Sequence, residues 1–331
     1  MFVNLVKRTY TLIIILILAV TGTAYWACWK VLQAETTVRY AGLQSVVATQ
    51  LEKTLKGMEM SAANVFIAVE NHLDSPESVI DALKSEASLN PDVRGYFAAF
   101  EPNYFKEKGT WFEPYVHHSG DRKYQLTMVG SESHDYTQSP WYISAKKTQK
   151  AFWSDPYYYY DGTDISGRYT TYVTPVFDEK GQLACVCGAD ITFDWLGKEL
   201  DRINDWCRNA SMINEHLLMR DFKFFTALVN QEGVCIWSPG EKYVPVDDSR
   251  VLSDIKEGKC GTMHMIVDGE PSTLYYGPIE GIEWSLFIVV PTFDLQKPFL
   301  YIGIAMALLA VMGILGAWLI LKRKYKDEKR R

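Results

Sequence analysis

The sequence lacks the compact motifs that mark an enzyme. There is no Gly-rich phosphate loop, no G-x-S-x-G elbow and no kinase-type H-R-D loop. The six histidines, His72, His117, His118, His134, His216 and His264, are scattered and never take an HExxH or similar spacing, so no metal site is expected. His117 and His118, adjacent on a strand, would face opposite ways and are expected at solvated or edge positions. Six cysteines occur, Cys28, Cys185, Cys187, Cys207, Cys235 and Cys260, with no CxxC pair. Cys185 and Cys187 would share one face of a strand, a poor geometry for bridging. An oxidising location would permit disulfides, yet the spacing demands none, and buried free thiols are the expectation. Basic charge is scarce in the body of the chain. The formal net charge of −6 divides into +2 over residues 1–29, +5 over 322–331, and hence −13 between them. Such an acidic body lacks the basic face that nucleic-acid binding requires. No cofactor is implied. Asn209-Ala210-Ser211 fits the glycosylation pattern, a motif short enough to arise by chance.

Long apolar runs, by contrast, are present at both ends. Tyr10–Trp29 and Tyr301–Leu321 carry no charged residue, and each is about the ~20 residues a helix needs to cross a bilayer. The second run contains Gly303, Ala305, Gly313 and Gly316, small residues that permit close helix packing. Basic residues precede the first run and follow the second. The positive-inside tendency therefore places both termini in the cytoplasm, residues ~30–300 outside, and Trp26, Trp29 and Tyr301 at the outer interface. A cleaved signal peptide is the competing reading of the first run. The run is longer than a usual signal core, and Ala24–Ala27 is only a fair cleavage site.

Between the runs, Val47, Leu51, Leu55, Met58, Ala62, Val65 and Val69 recur at steps of three or four, one stripe of a long helix. That helix is expected to continue the first span outward. Its stripe can pack on its own domain or on a second copy, in different parts of its length. Asp74-Ser75-Pro76-Glu77 ends it and caps a second helix. Strands are expected at Arg94–Phe100, Trp111–His117 and Lys123–Met128, a short helix at Trp141–Thr148, and a hairpin of Arg168–Phe177 and Gln182–Thr192 across Asp178–Gly181. A helix over Phe193–Asn209 presents Trp195, Leu196, Leu200, Ile203 and Trp206 on one face. A shorter unit follows: strands Phe222–Asn230 and Val234–Ser238, a helix at Asp247–Glu257, then strands Gly261–Val267, Thr273–Pro278 and Trp284–Pro291. Both units run strand, glycine turn, strand, short helix, further strands. This predicts two copies of one small fold.

The block Trp141-Tyr142, Trp153-Ser154-Asp155-Pro156-Tyr157, Thr174-Pro175-Val176, Gly181 and Gly188-Ala189-Asp190-Ile191 resembles the membrane-distal half of double Cache sensor domains. Leu228–Gly233, Trp237-Ser238-Pro239, Gly277-Pro278-Ile279 and Trp284–Pro291 resemble the membrane-proximal half. The resemblance covers about residues 35–292. Phe112-Glu113-Pro114-Tyr115-Val116 and Asp135-Tyr136 are most similar to sensors of sigma-regulator serine phosphatases and histidine kinases; chemoreceptors share the fold. The resemblance implies an α/β (α+β) protein: two stacked PAS-like subdomains with antiparallel sheets, a long N-terminal helix and two flanking transmembrane helices. It implies extracytoplasmic detection of a small molecule in the distal pocket, by a homodimer, with the signal passed to a cytoplasmic partner. In amino-acid-binding members an arginine stands two positions before the tryptophan, where this chain has Ser139. An acid stands two positions after the Pro-Tyr tyrosine, where this chain has Tyr159. Only Trp141, Tyr142, Tyr157 and Asp190 match, so a ligand carboxylate would lose its paired charge.

The residues themselves give a compatible picture. Asp190 ends an apolar run and needs partners, either a ligand cation or hydrogen-bond donors that let it cap the next helix. Trp141 and Tyr142 open a helix that can wall a pocket or fill a core. Tyr157–Tyr160 on a strand would send two rings inward and two outward. Aromatic walls around an acid suit an amine or another cation. The expected ligand site is therefore Trp141, Tyr142, Tyr157, Tyr159, Asp190 and Ser139. The expected organisation is cytoplasmic 1–9, span 10–30, stalk and flanking helices 31–90, distal subdomain 91–200, connecting helix 201–220, proximal subdomain 221–296, span 297–321 and basic tail 322–331. The ten residues after Leu321 are too short for an output domain, so the chain is expected to be either the sensor part of a longer plasma-membrane receptor or a complete protein that signals through a partner. Two other classes compete. An ectoenzyme would use Asp155, Asp161, Asp164 and Asp190 for acid–base work, without a nucleophile–base pair to support it. An assembly module would keep the fold and lose the ligand.

Overall fold

A single helix, α1 (Phe2–Glu70), runs from the first apolar stretch to the far end of the molecule. Its 69 residues span about 100 Å at the α-helical rise. The computed structural model describes residues 2–119, 123–209, 224–242, 244 and 246–330. His216, Ala210 and Ser211 of the glycosylation pattern, the whole second half of the expected connecting helix and the first residues of the strand expected at Phe222 lie outside the described residues. All seven members of the α1 stripe are buried within the chain itself. Along that face Tyr40 stacks on Tyr275 of the proximal unit and Phe66 on Tyr172 of the distal unit, at 5.3 and 6.4 Å. The stripe is thus consumed by α1's own sheets and is not free for a second copy.

α2 (Pro76–Glu86) starts as its sequence requires: Ser75 Oγ accepts from Ser78 N at 3.2 Å, with Pro76 in the first turn. The distal sheet follows, built of β1 (Gly95–Phe100), β2 (Pro114–Ser119), β3 (Lys123–Met128), β4 (Phe152–Trp153), β5 (Tyr157–Tyr159), β6 (Gly167–Phe177) and β7 (Leu183–Thr192). Its order is β3-β2-β1-β7-β6-β4, with β5 also paired to β6, all antiparallel. The β6–β7 turn is closed by Asp178, whose Oδ1 accepts from the backbone N–H groups of Lys180 and Gln182, and by Gly181 at φ +73°. α3 (Pro140–Thr148) crosses one face of this sheet. β2 begins later than the expected Trp111. It lies between β1 and β3 rather than at an edge, and this corrects the reading of His117. His117 is 1% exposed, stacked on Tyr115 at 5.1 Å, with Nε2 3.0 Å from Thr127 Oγ1.

α4 (Phe193–Asn209) leads away from the distal sheet. Leu196, Leu200 and Ile203 are buried as expected, but Cys207, one position on, takes the buried place and leaves Trp206 exposed. The proximal sheet has β8 (Phe225–Asn230), β9 (Cys235–Trp237), β10 (Gly261–Val267), β11 (Glu270–Pro278) and β12 (Trp284–Pro291), in the order β10-β11-β12-β8-β9, with α5 (Ser249–Lys256) against β10. In both sheets the first strand of the unit sits between its second and its last. That is the internal repetition seen in the order of elements. The thiols divide by position: Cys185, Cys187 and Cys207 are buried, whereas Cys28 and Cys260 are exposed, against the expectation for those two. Cys185 and Cys187 do share a face, with Sγ atoms 3.8 Å apart.

α6 (Thr292–Arg330) returns along α1. A Cβ on Gly303 would come within 3.3 Å of the Tyr25 ring, and one on Gly313 within 3.3 Å of Ile17. These two glycines of the expected small-residue set therefore mark the close helix contact, while Gly316 faces open space. α1 and α6 are both long and apolar enough to cross a membrane.

Candidate ligand site in the distal unit

The pocket follows from the register of β7. Antiparallel partners point to one face of a sheet, and here Thr171, Asp190, Gly95 and His117 form one row across β6, β7, β1 and β2. The next row holds Gly188, Phe97 and Tyr115. Two glycines make this face concave. A Cβ on Gly188 would sit 2.1 Å from the Phe97 ring, and one on Gly95 would sit 2.6 Å from the Tyr115 ring. With hydrogen in those places, both rings lie against the sheet and form a floor. The start of α3, β5 and the segment before α3 stand around it and enclose a cavity of about 440 Å³.

Asp190 is 6% exposed at the base of this cavity. Its Oδ1 accepts from Thr171 Oγ1 at 2.5 Å, and Tyr157 Oη lies 3.2 Å from the same oxygen and 2.8 Å from Thr171 Oγ1. Burial pushes its carboxyl up to about 6, against the opposing pull of the neighbouring hydroxyls of Thr171, Tyr115 and Tyr157. Trp141 packs on Phe97 at 5.0 Å and walls the cavity. Tyr157 and Tyr159 turn inward, half-buried, while Tyr158 and Tyr160 stand outward at the rim, so the expected alternation holds. Tyr159 Oη donates to Asp161 Oδ2 at 3.2 Å, and Ser139 lines the wall beside Pro140.

Five of the six expected residues thus meet at one cavity: Ser139, Trp141, Tyr157, Tyr159 and Asp190. Tyr142 does not. One residue further round α3 than Trp141, it turns to the other side, packs on Tyr136 at 5.4 Å and donates to Glu101 Oε1 at 2.7 Å, where Lys146 also binds. The carboxylates proposed for acid–base work do not gather either. Asp155 faces Asn230, Asp161 holds its own turn through Thr163 and Ser166, and Asp164 pairs with Arg94. No group of three or more His, Cys, Asp or Glu side chains fit to hold a metal occurs among the described residues.

Sequence reading missed Glu113 and His134 as cavity residues. Glu113 is 4% exposed and lines the cavity; its Oε2 is buried and makes no hydrogen bond. His134 Nε2 stands 3.8 Å away, and its ring meets Tyr159 edge-on at 5.0 Å. Burial pushes the Glu113 carboxyl well up, and the charge of Asp190 adds to the effect; burial lowers His134. The only sequence signal was the two-residue spacing of Glu113 and Tyr115, which puts both on one face. No lysine or arginine lines the cavity among the described residues.

Comparison with known proteins agrees with this layout. Residues 79–198 match the family described as methyl-accepting chemotaxis protein-like, first PDC sensor domain. No curated protein sequence matches the chain. Among solved structures, the periplasmic sensory domain of the Campylobacter jejuni chemoreceptor Tlp1 is 14% identical, with a TM-score of 0.61 over 81% of this chain and 99% of that one. The extracellular domain assigned to a histidine kinase, soHK1S-Z6, is 19% identical, with a TM-score of 0.58 over 81% of this chain and 98% of that one. The ligand-binding domain of the Campylobacter jejuni chemoreceptor Tlp3 in complex with L-valine is 15% identical, with a TM-score of 0.53 over 81% and 97%. The chain carries a Cache/PDC-type sensor fold, and its distal unit matches the first PDC sensor domain of the MCP-like family.

Proposed function

We propose that the chain is a membrane-anchored receptor that binds a small organic cation in the distal cavity and passes occupancy across the membrane. One observation carries the reading: a buried aspartate at the base of an aromatic cavity whose lining includes no lysine or arginine among the described residues. An ammonium there gains a carboxylate and several ring faces at once. The relative solved with L-valine binds an amino acid. In this chain Ser139 leaves an α-carboxylate without a charged partner, which favours amines over amino acids, although Tyr159 also stands where an acid would help to hold the ammonium. The transmitting elements are α1, which touches both sheets, and α6, which joins the proximal sheet to the second span. Ligand preference for one state of the cavity would bias a small shift of α1 against α6, read by a cytoplasmic partner. The α1 stripe is buried, so a homodimer would use the opposite face, where Val31 and Val38, and Met60 and Ile67, are exposed at seven-residue intervals. Sedimentation of the full chain as a monomer would overturn the dimer.

The test of sensing is calorimetry on the full chain in lipid nanodiscs, against alkylamines, amino acids and carboxylates. Amines are expected to bind, and Asp190→Asn to cost about 2–5 kcal/mol of that affinity. Binding of anions alone, unaffected by Asp190→Asn, would sink the reading.

A further inference from the structure

We propose that Glu113 is a second anchor in the distal cavity, so that the ligand is a short aliphatic diamine with one ammonium on Asp190 and the other on Glu113. The inference rests on the cation reading above and adds a second charge to it.

Glu113 is the residue immediately before β2, and it belongs to the cavity rather than to the sheet's solvent side. Its Oε2 is fully buried without a hydrogen bond, an arrangement that costs free energy unless something in the cavity supplies a donor. His134, at 3.8 Å, is held toward its neutral form by burial, and Glu113 toward its protonated form, so an ammonium settling on Glu113 does so with loss of that proton. A monoamine on Asp190 would leave Glu113 as it is.

The register sets the backbone positions of the two acids well apart. Asp190 lies opposite Gly95, and Gly95 opposite His117, four residues beyond Glu113. The backbone positions of the two acids are therefore offset by two strands, roughly 10 Å, and by four residues, roughly 13 Å. A single ammonium can bridge two acceptors no more than about 6 Å apart at hydrogen-bond length, so one cation serves both only where the two side chains close most of that backbone offset. Between the two acids lies the row of Phe97 and Tyr115, whose rings form the floor. That gives an apolar bed between two carboxylates, which suits methylenes between two ammonium groups. A zwitterion of the same length would bring a carboxylate against one of the acids, with no lysine or arginine in the lining to offset it.

The experiment is calorimetry on the full chain in nanodiscs with putrescine, cadaverine, n-butylamine and γ-aminobutyrate. Wild type is expected to bind putrescine at least about ten-fold tighter than n-butylamine, and to reject γ-aminobutyrate. Glu113→Gln should bring the putrescine to n-butylamine ratio near one, with circular dichroism of the ligand-free variant reporting that it is folded. Glu113→Asp, one methylene shorter, should move the preference toward cadaverine. Equal affinity for putrescine and n-butylamine in wild type, or an unchanged ratio in Glu113→Gln, overturns the second anchor and leaves the cation reading standing. Failure of every amine to bind wild type overturns both.

Discussion

The distal and proximal units share one topology and differ in what fills the outer face of the sheet. Counting from the first residue of each unit's leading strand, the distal row is Gly95, Asp190 and Thr171. The proximal row is Phe225, Val289 and Leu274. Where the distal unit has a glycine, an acid and a hydroxyl, the proximal unit has a ring and two branched aliphatics. Val289 and Leu274 are fully buried, in a core with Val251 and Ile255 of α5 and with Val244 and Val246. The same fold therefore makes a cavity in one copy and a closed core in the other. Side-chain volume and polarity along these rows contribute to the difference, together with β5 and the segment before α3, which enclose the distal cavity.

Three substitutions and conditions test that contrast, in falling order of effect. Val289→Asp places in the proximal core the acid that the distal unit tolerates. Without a Thr171-like hydroxyl or a cavity beside it, the charge should cost about 3–5 kcal/mol of stability in chemical unfolding of the chain. A loss under about 1 kcal/mol would mean that the proximal face can open into a second site.

The second test is pH. The folded-state carboxyl of Asp190 lies at about 6, above the ordinary 3.8, so its contribution to stability is complete below about 3.8 and is lost as pH rises through about 6. Two pH units correspond to about 3 kcal/mol. Ligand-free wild type, compared with Asp190→Asn at each pH, should therefore lose relative stability between pH ~4 and ~7, while amine affinity rises over the same window. A wild type that tracks the variant at every pH would show that Asp190 is not held in a desolvated site.

The smallest effect is expected from Tyr142→Phe. It removes the bond to Glu101 on the far side of α3, at a cost of about 1 kcal/mol, and should leave ligand affinity unchanged. A large loss of affinity would place Tyr142 back in the site.

Much of the architecture was legible because it is local. The α1 stripe, the Ser75-Pro76 cap, the Asp178–Gly181 turn and the two apolar spans each state their structure within a few residues. Trp206 was misread because α4 keeps Cys207 on its buried face, and helical periodicity alone leaves the boundary of an apolar arc open by one residue. His117 was misread because nothing local says whether a strand is at an edge; β3 covers β2 on the side that would otherwise be open.

By itself, then, the sequence determined the two apolar helical runs, the long helix that continues the first of them, the twofold recurrence of the strand pattern, and an acid among aromatics near the end of β7. Periodicity and turn chemistry act over a few residues, so one chain read in order reveals them. Only the tertiary structure decided that Trp141 faces the cavity while its neighbour Tyr142 faces Glu101. It also decided that Glu113 and His134, far from Asp190 in sequence, line the same cavity. Those outcomes depend on strand order, with β1 setting β2 beside β7, and on two glycines whose missing side chains leave room for rings. Packing across strands joins residues that no local pattern links.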